Sequence, residues 1–94
     1  MRIAVIGSGI SGLASGFLLR NHADVHLFES AGRIGGHSNT VDVHFGDVSV
    51  PVDTGFIVYN PLNYPNLMSL FAILSVPHLK TDMSFSVSLG QGEL

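Results

Sequence analysis

"RIAVIGSGISG", residues 2–12, is the stretch whose reading decides the fold. Ile3, Ala4, Val5 and Ile6 form a continuous apolar run, the pattern of a parallel strand covered on both faces rather than one alternating between core and solvent. Gly7 ends it. From Ile10 to Asn21, the residues Ile10, Leu13, Ala14, Phe17 and Leu18 recur at helical spacing up to the polar "NHAD" turn, which predicts a helix of about three turns. "VHLFE", 25–29, predicts a second strand. Strand, glycine turn, helix and strand make a βαβ unit, with a right-handed crossover as the default.

A turn that holds a dinucleotide needs a tight bend after the strand, a point where backbone can touch pyrophosphate, and a close contact between helix and strand. Gly7, Gly9 and Gly12 supply these in that order. The helix then opens with unpaired N–H groups and its positive dipole end, so an anion is held there without a lysine. Ser8, Ile10 and Ser11 complete the candidate turn, the serines as sources of hydroxyl contacts. Glu29, with Ser30 beside it, ends the second strand where a carboxylate accepts hydrogen bonds from ribose hydroxyls and repels an added 2′-phosphate. GxGxxG alone is a weak pattern; its place between a buried strand and a helix, with the acid 22 residues after Gly7, favours a nucleotide site over an ordinary glycine turn. Gly16, one turn further along, predicts a close helix–sheet approach that offsets its cost of about 1 kcal/mol relative to alanine.

Composition narrows the rest. With 94 residues, one compact core is the most the length permits, and 46% hydrophobic against 12% charged residues suits a packed α/β unit rather than a disordered chain. The formal net charge is −3 and no basic cluster exists, so nucleic acid is not an expected partner. Cysteine is absent, which removes disulfides, thiolate metal sites and a cysteine nucleophile together and is compatible with a cytoplasmic setting. No signal peptide is apparent, and "LMSLFAILSV", 67–76, is too short to span a bilayer. His22, His26, His44 and His78 lack ligand spacing, so no metal is expected.

Beyond the βαβ unit, "SAGRIGGHSNT" reads as a loop making close backbone contacts. "VDVHF" and "VSVPVD" flank Gly46-Asp47 and predict a hairpin. Asn63 and Pro65 predict a helix start, and Leu67, Leu70, Phe71 and Leu74 form its core stripe until Pro77. "SFSVSLG" alternates like a further strand and "GQGEL" like the start of another turn. Tyr59 and Tyr64 are read as packing residues.

The first 29 residues do not separate NAD from FAD, which share an adenosine diphosphate half. The next eight carry a resemblance. "RIGG", Arg33 to Gly36, following an acid-terminated βαβ fingerprint, is similar to the Arg-x-Gly-Gly element of the FAD-dependent amine oxidase superfamily, which includes protoporphyrinogen oxidase and carotenoid desaturase relatives. The resemblance implies that Arg33, Gly35 and Gly36 lie near the diphosphate and ribityl parts of FAD, and that the backbone of "DTG", Asp53, Thr54 and Gly55, passes the flavin ring. Paired glycines permit close approach, and a guanidinium suits phosphate. The chain departs from the family pattern at His37, where an arginine is usual; His37 is either a hydrogen-bonded loop residue or part of the flavin site. With "PVDTGFIVYN" and "YPNLMSLFAILSVP", the chain resembles a branch of FAD- or NAD-binding oxidoreductases of unsettled substrate, some associated with lipid-modifying methyltransferases. Asp-Thr-Gly also occurs in aspartic proteases, but those need a second paired aspartate and an all-β fold.

The expected architecture is α/β: a Rossmann-like FAD-binding βαβ unit followed by a β-hairpin, a helix and a further strand, with 1–94 the N-terminal part of an incomplete domain and the substrate domain absent. The resemblance implies an FAD-dependent oxidoreductase whose small-molecule or lipid-like organic substrate binds elsewhere, with no catalytic residue assignable in this segment. An NAD-binding dehydrogenase module and a truncated, non-catalytic nucleotide-binding module are the alternatives.

Overall fold

A computed structural model describes residues 1–90. The chain runs β1 (Arg2–Ile6), α1 (Ile10–Leu19), β2 (Asp24–Phe28), β3 (Thr40–Phe45), β4 (Val48–Asp53) and α2 (Pro65–Leu74). β1 and β2 pair in parallel, Ile3 beside Val25 and Val5 beside Leu27, and α1 crosses between them. This is the expected strand–helix–strand unit, and the antiparallel β3–β4 hairpin follows it. In the hairpin, Val43 pairs with Val50 and Phe45 with Val48 across a two-residue loop. Gly46 has φ +58 at the first loop position, which a type II′ turn reserves for glycine.

Small residues set the approach of α1 to the strands. A Cβ added to Gly12 would overlap the Gly7 carbonyl oxygen and stand 3.4 Å from Val5 Cγ1, so the first turn of the helix lies directly on the loop that precedes it. Gly16 is different: a Cβ there would meet only Val25 Cγ1, at 3.8 Å, an ordinary contact. The expectation that tertiary packing demands glycine at 16 is therefore not met. The expected apolar stripe is also displaced. Leu18 is 64% exposed and Ile10 and Leu13 are exposed, because Gly12 and Gly16, not those larger residues, face the sheet.

The coverage of β1 on both faces, expected from its unbroken apolar run, is likewise not found among the described residues. α1 shields the Ile3 and Val5 side, while Ile6 is 80% exposed and Phe28, its parallel neighbour, is exposed as well. Among the described residues no hydrophobic side chain is fully buried. The Cα radius of gyration is 18.1 Å, against about 12 Å for a compact domain of this length. Among the described residues, the β1–β2 pair lacks a cover on one side and every residue of the β3–β4 pair but Val43 is exposed, so the two sheets enclose no common core.

α2 packs through an aromatic cluster. Phe56, Tyr59, Tyr64 and Phe71 have ring centroids 5.5–6.3 Å apart, mostly edge to face, so both tyrosines serve packing as expected. Leu67, Leu70 and Phe71 of the expected stripe are half-buried and Met68 joins them, whereas Leu74 is exposed. Pro65 takes the first helical position, where its missing N–H costs nothing. The helix stops at Ser75, in the left-handed region at φ +53, before Pro77 is reached; the Ser75 and Val76 N–H groups close it on the Ala72 and Phe71 carbonyls.

The further strand expected over "SFSVSLG" does not form. Residues 82–88 carry no regular structure and only Leu89 makes an isolated bridge, since alternation yields a strand only where a neighbour offers backbone partners. The turn expected in "GQGEL" falls, from residue 91 onward, outside the described residues.

Candidate nucleotide-binding site

The site is built on the turn between β1 and α1. Gly7, at φ +93, adopts a backbone that other residues resist, and its N–H donates to the Phe28 carbonyl at 2.7 Å, tying the end of β1 to the end of β2. Gly9 caps the helix in extended conformation, and its carbonyl accepts the first helical bond, from Leu13 N–H at 3.0 Å. A Cβ on Gly9 would meet nothing within 4 Å. Among the described residues, the N–H groups of Ile10, Ser11 and Gly12 have no protein acceptor, and no side chain caps the helix. Three unpaired donors at the positive end of α1, beside an open approach at Gly9, fit a diphosphate.

Ser8 is fully buried, so its side chain faces protein rather than the open side of the turn. Its N–H and its hydroxyl both donate to Glu29 Oε2, at 2.8 and 2.5 Å. Its carbonyl and its Oγ in turn accept from the Gly35 N–H, at 2.9 and 3.3 Å. One residue thus joins the glycine turn, the end of β2 and the "RIGG" loop. Ala31 N–H donates to Glu29 Oε1 at 2.8 Å. The Ser8 hydroxyl foremost, then the Ala31 and Ser8 N–H groups, hold the Glu29 carboxyl at a pKa of about 2, well below its ordinary 4.5. Glu29 is an anion throughout the physiological range. Ser30, next to it, is exposed.

The "RIGG" loop lies on the turn itself. Gly36, at φ +59, comes so near that a Cβ would stand 2.8 Å from the Gly9 α-carbon. Gly35, at φ +112, is pressed equally closely against the Ser38 carbonyl. Arg33 braces this loop from outside: its guanidinium donates to the Gly36 carbonyl at 2.7 Å and to the Ser38 and Ile34 carbonyls at 3.3 and 3.4 Å. Its donors therefore point to the loop that carries Gly35 and Gly36.

The "DTG" segment runs back along the same loop. Phe56 N–H donates to the His37 carbonyl at 3.1 Å, Thr54 donates from both N–H and hydroxyl to the Asn39 carbonyl, and Thr40 donates to the Asp53 carboxylate at 2.6 Å. Gly55 has no room for a Cβ beside the His37 carbonyl oxygen. His37 is held here through its backbone. Ile10, Gly35, His37, Ser38, Phe56, Leu67 and Phe71 line an apolar notch of about 280 Å³ that adjoins the glycine turn. Asp53 instead borders a larger cleft of about 690 Å³ between the 56–61 segment, α2 and residues 76–81.

The structure therefore brings Gly7, Ser8, Gly9, Ile10, Ser11, Gly12, Glu29, Gly35 and Gly36 to one turn, with His37 adjoining, and leaves Asp53 at its margin. Ala31, Phe56 and Leu67 were not anticipated. Ala31 contributes only a backbone N–H, for which no side-chain signal exists; Phe56 and Leu67 look like core residues in any sequence reading. Among the described residues no helix is long and apolar enough to cross a membrane, and no three His, Asp or Glu side chains gather.

A comparison with curated proteins found no match. A family model for the NAD(P)-binding Rossmann-like domain matches residues 5–74, which spans the glycine turn, Glu29, the "RIGG" loop, the hairpin and α2. With about three quarters of its length so matched, the chain belongs to the NAD(P)-binding Rossmann-like domain family.

Proposed function

We propose that the chain is the N-terminal FAD-binding portion of an amine-oxidase-like oxidoreductase, with the adenosine diphosphate half of FAD held by the glycine turn and Glu29. The observation that carries the choice of FAD is the seat of the "RIGG" loop: Gly36 rests on Gly9, and Gly35 is bonded to Ser8, so both glycine elements flank one phosphate path. Unpaired N–H groups of α1 receive the diphosphate, and the Glu29 anion takes ribose and repels a 2′-phosphate. Bound there, the flavin supplies hydride- or electron-accepting chemistry toward an organic substrate, while this chain contributes binding and orientation. The remaining walls belong to a larger protein, a reading supported by the open faces of both sheets and by the lack of a buried apolar core among the described residues. A cytoplasmic setting accords with the absence of cysteine.

An NAD-binding dehydrogenase module is the second reading, favoured by the family's own nucleotide. The two separate on one preparation. The protein in its full-length context should purify with a flavin absorbance spectrum and retain FAD through gel filtration. Specific NAD binding without flavin would overturn the FAD choice.

A further inference from the structure

We propose that Arg33 is a positioning residue and not itself a phosphate ligand: it locks the peptide between Gly36 and His37 so that the His37 N–H is offered to an anion at the glycine turn. This role presupposes the nucleotide reading of that turn. Ser38 N–H donates to the Gly35 carbonyl at 3.0 Å, which closes residues 35–38 into a four-residue turn. Gly36, at φ +59, takes its first central position. The closing bond does not hold the peptide between the two central residues, and the direction of that peptide is what separates one turn type from another. Here the guanidinium holds it. Nη2 donates to the Gly36 carbonyl at 2.7 Å, while Nη1 reaches the Ser38 and Ile34 carbonyls at 3.3 and 3.4 Å.

In a trans peptide the C=O and the N–H point in opposite directions. The peptide between Ile34 and Gly35 shows the consequence: its carbonyl faces Arg33, and its N–H donates to the Ser8 carbonyl of the glycine turn at 2.9 Å. The Gly36 carbonyl faces the same guanidinium, so the His37 N–H leaves on the opposite side, where Gly36 lies against Gly9. Among the described residues the His37 N–H has no protein acceptor. It adds a donor to the unpaired N–H groups of Ile10, Ser11 and Gly12. A flipped peptide would put the Gly36 carbonyl oxygen there instead, and its negative end repels phosphate. Lysine carries the same charge on one compact head and does not span three carbonyls as a planar guanidinium does.

The test titrates ADP, which both cofactor readings share, into the parent, Arg33→Ala and Arg33→Lys, followed by calorimetry and by amide NMR. In the parent the His37 amide proton should move downfield as ADP saturates. In both variants that shift should be lost and ADP should bind about tenfold more weakly, the loss of a hydrogen bond to a charged acceptor. Slow exchange of the Gly7 N–H, which is bonded to Phe28, should persist in both and report an intact turn. Parent-like affinity in Arg33→Lys would overturn the proposal in favour of a direct charge on the phosphate. Parent-like affinity in a folded Arg33→Ala, or a parent His37 amide that ADP leaves unmoved, would overturn it as well. If Arg33→Ala does not fold, the lysine variant and the parent amide decide the matter. Failure of ADP to bind the parent would instead remove the nucleotide reading, and this role of Arg33 with it.

Discussion

Two alanine substitutions one turn apart on α1 should move stability in opposite directions. At Gly12 a Cβ overlaps the Gly7 carbonyl oxygen and stands 3.0 Å from its carbonyl carbon, and both are backbone atoms that cannot rotate away. Gly7 is in turn anchored to the Phe28 carbonyl at 2.7 Å, so restoring ordinary contact pulls on the bond that joins the ends of β1 and β2. Overpacking of this kind costs about 1–3 kcal/mol, and weakening the Gly7 bond adds about 1 kcal/mol. Against this stands a gain of about 1 kcal/mol in helix propensity, which leaves Gly12→Ala destabilised by about 1–3 kcal/mol. At Gly16 the added Cβ meets Val25 Cγ1 at 3.8 Å and nothing else, so only the propensity gain applies and stability should rise by about 0.5–1 kcal/mol. In a chain of this size each kcal/mol corresponds to about 4–8 °C in Tm. Thermal and urea unfolding followed by far-UV circular dichroism would read both shifts. A neutral or stabilising Gly12→Ala would refute the reasoning, because the clash at Gly7 is its only source.

Gly9→Val should leave the fold intact, since its Cβ enters open space, yet block the approach to the α1 N–H groups; ADP affinity should fall at least about tenfold with unchanged circular dichroism. Unaltered binding would place the phosphate elsewhere. Glu29 has a folded pKa of about 2 against 4.5 ordinarily, so the stability it contributes is fully present above pH 4.5 and is lost as pH falls toward 2. Urea midpoints across that window should decline less steeply in Glu29→Gln than in the parent, and parallel acid limbs would contradict the Ser8 contact. Ser75→Gly relieves the left-handed backbone at φ +53 and should stabilise α2 by about 1 kcal/mol, read as a higher urea midpoint; a lower midpoint would show that the serine side chain has an uncounted role.

Local chemistry made much of this protein legible in its residues alone. The glycine spacing after an apolar run, the acid at Glu29, the Gly46-Asp47 hairpin and the proline-led α2 all follow from backbone sterics and periodicity, which act over a few residues. The site was visible as a set of candidates for the same reason. Tertiary structure decided which groups those candidates stand against. Ser8 reads in sequence as a hydroxyl for the ligand, but burial turns it onto Glu29 and Gly35. Arg33 reads as a phosphate ligand, yet its guanidinium is drawn to the carbonyls of its own loop. Gly12 and Gly16 both read as points of close approach between helix and strand, and only the path of the preceding loop makes the first demanding of glycine and the second replaceable. The apolar run of β1 and the alternation over 84–90 anticipate neighbours that the described residues do not supply. Periodicity records which side chains a chain is ready to bury. Contacts between segments 20 or more residues apart, such as Ser8 with Glu29 and Gly35, determine which groups are in fact buried, paired or left open to a ligand.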